Sequence, residues 1–468
     1  MFVQNFLKTF GITSLVSISV LSNTFPVLSQ NFSLEEKTGV IYAEVTDNQQ
    51  KLEEYNRAIQ SNPQDAQAYK NRGDIYAKLK EYQKAVADYT QAIKINPQYA
   101  EAYVGRARVY YDLDEYQKEI EDSNQAIKIN PQYKEAYEER GWAYIELREY
   151  QKALEDFNQV IKLDPQYEQG YQGRGVAYKG LREFEKALED FNQVIKIDPK
   201  NASVYRNRGD VYRDLREYDK ALEDYNQAIK LDPQNSWAYN GRGILYHWDL
   251  KEHEKAIEDY TQAIKIDPHY YHFINRGWVY TYLKKYDKAI EDYNQAIKMN
   301  PKYAEAYCEL GNVYSKLKDY KKALDICTYG ISIDSQNSPS VYHIRGGIYL
   351  DLKDYQKALE DYNQAIKIDP NSFGSYNNIG LIKYEQGIIH ESQQNFEKSL
   401  EIDSKYPETQ MALAVIFYQQ GDTQKALELA KSALKADPEY ANIEYQKQNL
   451  WGEKMIADAQ KLLEQIEL

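Results

Sequence analysis

The 468-residue sequence is poor in the residues that break helices or staple small folds, with 13 prolines, 22 glycines and two cysteines. Two cysteines cannot build a disulfide framework, and no Cys-x-x-Cys pair is present to suggest a zinc or redox centre. No basic stripe interrupts the mixed Lys/Glu surface, and the net charge is −14, so affinity for a phosphate backbone is not indicated. Phosphate-binding, metalloprotease, nucleophile-elbow and dinucleotide signatures are all missing. No catalytic centre, metal site or cofactor is therefore expected. Long apolar runs are missing too. Phe10 to Leu21 is about a dozen residues diluted by Gly and Ser, short of the roughly 20 needed to span a bilayer. Lys8 precedes that run, and Val27-Leu28-Ser29 stands before Gln30. Residues 1–29 thus read as a secretory signal peptide, leaving a mature chain with no membrane span in the periplasm, the cell envelope or outside.

What is abundant is tyrosine, 46 in all, among Ala, Lys, Glu and Gln, a mixture that favours helix and supplies rings for helix packing. Pro63, Pro97, Pro131, Pro165, Pro199 and Pro233 recur every 34 residues. Pro268, Pro301, Pro370 and Pro438 continue the series with one-residue slips, and Ser335 and Ser404 fill its gaps. An independent comb runs from Tyr42 through Tyr76, Tyr110 and Tyr144 to Tyr314 at the same period. Within Ala66 to Tyr99, two amphipathic stretches flank a polar break at Lys78 to Glu81, and Asn96-Pro97 stops the second. Each unit is a helical hairpin. Gly73 marks the close approach of its helices, while Ala85, Tyr89 and Ala92 are the contacts of the second helix. One hairpin leaves an apolar face bare, so neighbours must stack.

The pattern Tyr69-x2-Arg72-Gly73-x2-Tyr76, then Ala85, Tyr89, Ala92 and Pro97, resembles the tetratricopeptide repeat (TPR) family over residues 32 to 440. The wording of single units, such as Glu217 to Pro233, resembles long exported cyanobacterial members. The resemblance implies an all-α fold, tandem helix-turn-helix repeats forming a right-handed superhelical α-solenoid with a concave groove. It implies binding of other proteins or peptides. The expected organisation is the signal peptide over 1–29, a degenerate N-terminal unit over 30–65, about eleven units over 66–440 and a C-terminal capping helix region over 441–468.

Most TPR units carry an aliphatic residue before the glycine. Here that place holds Arg72, Arg106, Arg140, Arg174, Arg208, Arg242, Arg276 and Arg345. In the same units an aspartate stands on the second helix: Asp88, Asp122, Asp156, Asp190, Asp224, Asp259, Asp292 and Asp361. Units that lose the arginine lose the aspartate with it, as in Leu310 with Ile326, Ile379 with Asn395, and Leu413 with Leu429. The covariation within one chain predicts a repeated, partly buried ion pair inside each hairpin.

In TPR solenoids the first helices line the concave wall. Helical spacing puts Trp237, Ile244, His247 and Trp248 on that face of the unit Ser236 to Tyr270, the last two around a one-residue insertion. The next unit contributes Tyr271, Ile274, Trp278 and Tyr282. A weaker patch combines Tyr111, Trp142 and Ile145 with Glu101, Glu135, Glu138 and Glu146. Aromatic anchors that the repeat itself does not need are the usual carriers of interface energy, whereas infill around the insertion is the competing reading. Carboxylate-clamp TPR repeats need Lys and Asn on these faces, and only Lys70 matches, with Asp74 where Asn is wanted. His247, His253, His269 and His272 cluster without a metal-ligand spacing. Cys308 and Cys327 fall in one unit, where Cys327 replaces a ring and is expected as a buried thiol, a disulfide between the two in an oxidising compartment being the less favoured reading. The function expected is an exported scaffold that holds an extended peptide or partner in the groove for envelope assembly or maintenance. Self-association as an architectural envelope protein and a small-ligand or glycan site on the aromatic patch are the other readings.

Overall fold

The computed structural model describes residues 34–333 and 338–466, with side chains from residue 47 onward. The expected signal peptide, residues 1–29, lies outside the described residues. Among the described residues there are helices and no strands, and no helix is long and apolar enough to cross a membrane. The chain divides into two units, residues 1–268 and 269–468.

Unit 1 begins with α1 (Leu34–Ser61) and continues as hairpins: α2 (Ala66–Lys78) with α3 (Tyr82–Ile95), α4 (Ala100–Asp112) with α5 (Tyr116–Ile129), α6 (Lys134–Glu146) with α7 (Tyr150–Leu163). Then come α8 (Glu168–Gly180) with α9 (Phe184–Ile197), α10 (Ala202–Asp214) with α11 (Tyr218–Leu231), and α12 (Ser236–Ile244), extended by a π-helical turn at Leu245–Asp249, with α13 (His253–Ile266). Unit 2 pairs α14 (Tyr270–Tyr282) with α15 (Tyr286–Met299), α16 (Ala304–Lys316) with α17 (Tyr320–Ile333), and α18 (Pro339–Asp351) with α19 (Tyr355–Ile368). It goes on with α20 (Phe373–Glu385) and α21 (Ile389–Ile402), then α22 (Pro407–Gln419) and α23 (Thr423–Ala436). A 3₁₀ turn (Pro438–Ala441), α24 (Ile443–Gln448) and α25 (Glu453–Leu463) complete it.

The two kinds of turn follow from local chemistry. Inside a hairpin one residue takes the left-handed conformation, from Lys80 at φ 56° to Lys318 at 65°, and the Glu81 amide then closes on the Tyr76 carbonyl at 2.8 Å, as in helix C-caps. Gly387 and Gly421 take that place in the last two hairpins. Between most hairpins, the Asn or Asp before the proline accepts a backbone N–H two residues on, at 3.1 Å for Asn96 and 2.9 Å for Asp198, an Asx turn that the proline prevents from continuing as helix.

Within the expected degenerate unit over 30–65, the described residues form one helix, α1, with no turn inside it. At the left-handed turn position this segment has Thr46, whose β-branch disfavours positive φ, so the helix runs through.

The core is a stack of rings on glycines. Tyr225 of α11 is fully buried between two first helices: a β-carbon at Gly209 would lie 3.1 Å from its ring and one at Gly241, in the following repeat, 2.8 Å. One ring therefore binds its own hairpin and the next, which is how stacking becomes a nearest-neighbour energy. Ala85, Ala92 and their counterparts are fully buried beside it.

Cys308 and Cys327 correct the expectation of a buried thiol, because they are joined in a disulfide with Cα atoms 4.1 Å apart. With the ring replaced by Cys327, Gly311 of α16 lies directly against the Ala323 carbonyl of α17. The two helices close in far enough for the sulfurs to meet.

Candidate binding surface

All eight expected arginine–aspartate pairs are present in the structure. Each arginine donates through Nε and Nη2 to both carboxylate oxygens: Arg72 to Asp88 at 2.7 and 2.6 Å, Arg140 to Asp156 at 2.8 and 2.5 Å, Arg174 to Asp190 at 2.8 and 2.7 Å, Arg208 to Asp224 at 2.8 and 2.7 Å, and Arg345 to Asp361 at 2.7 and 2.6 Å. The aspartates are buried and the guanidinium groups lie near the surface. Burial pushes Asp190 up more than Arg174 pulls it down. The sequence reading missed the third nitrogen. Nη1 reaches the second helix of the preceding repeat, on Asn56, Asn124, Asn158, Asn192 and Asn226 in five of the pairs. Where the following arginine is absent, Asn294 and Asn363 turn back to their own helix carbonyls at 2.8 and 2.7 Å.

The fold places first helices beside first helices, α2 on α4, α4 on α6, α6 on α8 and α8 on α10, and their second, ninth, twelfth and thirteenth residues share the wall so formed. In unit 1 ion pairs run along these positions and the turn beside them: Lys70–Asp74 at 2.8 Å, Arg108–Glu139 at 2.6 Å and Lys179–Asp210 at 2.9 Å. Burial alone would raise Asp210, but Lys179, Arg206 and Arg213 outweigh it and hold the carboxyl well below its usual range. Pairing with Asp74 occupies the one lysine that matched the clamp pattern.

The aromatic candidates separate by exposure. Trp237 is 39% exposed and Trp248 is 51% exposed, and Ile244 between them is half-buried. Trp248 owes its position to the inserted residue, which the helix absorbs as the π turn, a common way for a helix to re-aim side chains. His247 is a correction: it is buried, its ring 4.4 Å from that of Trp248 and its Nδ1 2.9 Å from Nδ1 of His253. Burial, with His253 and Lys251 adding, pushes it down to about 3, so it is neutral at ordinary pH. The weaker patch is half-buried. Trp142 packs edge-on against Phe157 at 5.3 Å, Ile145 is half-buried in the same cluster, and the Tyr111 hydroxyl donates to Glu146 at 3.2 Å.

In unit 2, Tyr271 and Tyr282 are 36% and 38% exposed. Tyr271 lies 4.3 Å from the ring of Tyr270 and 5.4 Å from that of Tyr303. Trp278 is half-buried and its indole N–H bonds Glu309, a half-buried carboxyl that desolvation pushes up to about 7. Ile274 is a second correction, being buried in the core, where it offers no surface.

Comparing the units would have revealed one more feature. Glu119 stands where the other second helices carry Ala85, Ala153 or Ala187, and Ser123 where they carry a ring. Both are fully buried, and neither Glu119 oxygen has a hydrogen-bond partner. Among the described residues no group of His, Cys, Asp or Glu is placed to hold a metal ion.

Family models agree with this geometry. Those described as tetratricopeptide repeat match residues 66–99, 135–167 and 169–201, 100–133, 238–270 and 304–337, 191–223 and 371–439. One described as TPR repeat matches 209–247, 277–318 and 346–387. The chain belongs to the tetratricopeptide-repeat family. TPR proteins bind other proteins or peptides. Heat shock protein STI1 of Saccharomyces cerevisiae is 30% identical over 157 residues, 34% of this chain and 26% of that protein. The match thus spans about a quarter of that relative's length. Among solved structures, a TPR protein of Parabacteroides merdae is similar at 24% identity and TM-score 0.44, over 48% of this chain and 89% of its own. Yeast Tom70 is similar at 17% identity and TM-score 0.46, over 86% and 96%.

Proposed function

We propose that this TPR protein is an exported, non-enzymatic scaffold that seats an extended peptide or partner protein on its first-helix wall, in envelope assembly or maintenance, after removal of residues 1–29. The observation that carries the reading is the pair Trp237 and Trp248. Both are large rings left exposed on one face of one repeat, and neither takes part in the ring-on-glycine stack that holds the repeats together. Tryptophan side chains in such places contribute far more to interfaces than their neighbours. The charged residues elsewhere on the unit 1 wall pair with one another, and these two rings are exposed aromatic surface beside them. Tyr271, Trp278 and Tyr282 hold equivalent positions in unit 2.

The test is capture of envelope proteins by the wild-type chain and by a Trp237→Ala/Trp248→Ala variant of unchanged melting temperature. The variant loses at least one partner that wild type retains. Identical partner sets for the two proteins would reject the reading. N-terminal sequencing of the mature protein checks export, with Gln30 as the expected first residue.

A further inference from the structure

Over α20 and α22 the first-helix wall of unit 2 is not open. After the 3₁₀ turn the chain doubles back, and α25 packs on α20 and α22, both first helices. Three of the four residues that receive it stand at the helix positions of Trp237, Ile244 and Trp248 in α12, and the fourth, Tyr384, at that of the buried His247. Glu408, second in α22, accepts the Trp451 indole N–H at 3.0 Å. Leu381, ninth in α20, lines the seat with Leu350. Tyr384, twelfth in α20, donates its hydroxyl to Asp458 at 2.8 Å. Glu385, thirteenth in α20, accepts the backbone N–H of Met455 at 2.8 Å and of Lys454 at 3.3 Å. Helix α25 has no capping side chain of its own, because Gly452 stands at its N-cap. The wall supplies the cap instead, a carboxylate against the positive end of a helix. A β-carbon at Gly452 would lie 2.1 Å from the Glu385 side chain, so any other residue there would push the carboxylate out of its capping position.

The apolar side of α25, Met455, Ile456, Ala459, Leu462 and Leu463, is buried in one cluster with Met411, Val415 and Tyr384. None of the ring-on-glycine contacts inside the hairpins depends on it. The segment also carries a cost, since Leu450 holds φ at 66°, a conformation unfavourable by about 1–2 kcal/mol for a residue other than glycine. A cleft of about 390 Å³ remains between it and the wall.

We propose that residues 443–466 are the internal occupant of a helix-binding groove. The groove's partner is an amphipathic helix that begins with a Trp-Gly step and displaces this segment in binding. The partner's glycine meets Glu385, its tryptophan meets Glu408 and its apolar stripe replaces Met455 to Leu463. This proposal concerns other residues than Trp237 and Trp248 and stands or falls separately from them.

The probe is a labelled synthetic peptide of residues 443–466, tested on the full-length chain. A Trp451→Ala/Met455→Asp variant, with the internal segment weakened, binds the peptide at least about tenfold more tightly than wild type, whose groove is filled. Adding Glu385→Ala removes that gain. A folded variant that binds no better than wild type overturns the proposal. Hydrogen exchange on the unmodified chain decides independently of any substitution. Amides of α25 exchange at least about tenfold faster than those of α22 if the segment opens on its own, and equal protection makes it a fixed part of the core and overturns the proposal.

Discussion

Arg174 ties its own repeat to the one before it, holding Asp190 through two nitrogens and Asn158 of the preceding second helix at 2.8 Å through the third. The guanidinium thus spans three helices, and its planar fork is the reason arginine rather than lysine holds this place.

Removing Asp190 leaves that guanidinium without its main partner. Asp190→Ala is expected to lower stability by about 3 kcal/mol, as for other buried pairs broken on one side, while Glu189→Ala on the exposed face changes it by less than about 0.5 kcal/mol. Asn158→Ala falls between, and its effect appears as weaker coupling between adjacent repeats. Equal urea midpoints for Asp190→Ala and Glu189→Ala would refute the clamp.

Glu119 makes the second hairpin, α4 with α5, sensitive to pH. Burial, reinforced by Glu139, Glu146 and Asp112, pushes its carboxyl up to about 9, so the native state keeps a proton that the unfolded chain gives up near the ordinary value. The native state binds more protons throughout that window, and stability falls as pH rises from about 4.5 to about 9. Glu119→Gln keeps the shape and removes the titration. The melting temperature of the variant relative to wild type is expected to be higher at pH 8 than at pH 5, and a difference independent of pH would count against the assignment.

The disulfide between Cys308 and Cys327 closes a short loop within one hairpin. Reduction is expected to cost about 3 kcal/mol by the loop-entropy rule, read as a dithiothreitol-dependent fall in the melting temperature of wild type. A Cys308→Ser/Cys327→Ser variant shows no such fall. A wild-type curve unmoved by the reductant contradicts the bond.

Two glycines provide a matched pair. A β-carbon at Gly175 would lie 2.6 Å from the Phe191 ring, whereas one at Gly347 would meet only the tip of Leu450, at 3.6 Å. Gly175→Ala is expected to destabilise by about 1–3 kcal/mol through overpacking. Gly347→Ala is neutral or stabilising, since it also raises helix propensity. Thermal melts of the two variants separate them.

The hairpins, their turns and the arginine–aspartate pairs could all be read from the residues, because each depends on chemistry inside one 34-residue period. Expectations failed where a position answers to something outside its period. Ile274 and His247 have the spacing of wall residues, yet the first sinks into the core and the second into the π turn made by an insertion whose backbone outcome no spacing rule specifies. Cys327 appeared to be a small substitute for a ring, whereas removal of the ring let two helices close. Thr46 carried a legible signal, a β-branched residue where a left-handed one is needed, and its consequence is the uninterrupted α1. Seating of α25 on first helices depends on residues about 70 positions apart, such as Met455 and Glu385, beyond the reach of any periodic pattern.

Repeats that touch only their neighbours can be gained or lost over generations with little penalty, and the nearly identical second helices of unit 1 suit such slippage. Unit 2 has a fixed ruler. Its last segment reaches Lys353 just after α18, Glu385 in α20 and Glu408 in α22 at once. Inserting or deleting one hairpin between α18 and α22 would pull these three holds out of step. The spacing of first helices in unit 2 is therefore tied to a single C-terminal segment, through Glu385 and Glu408 above all.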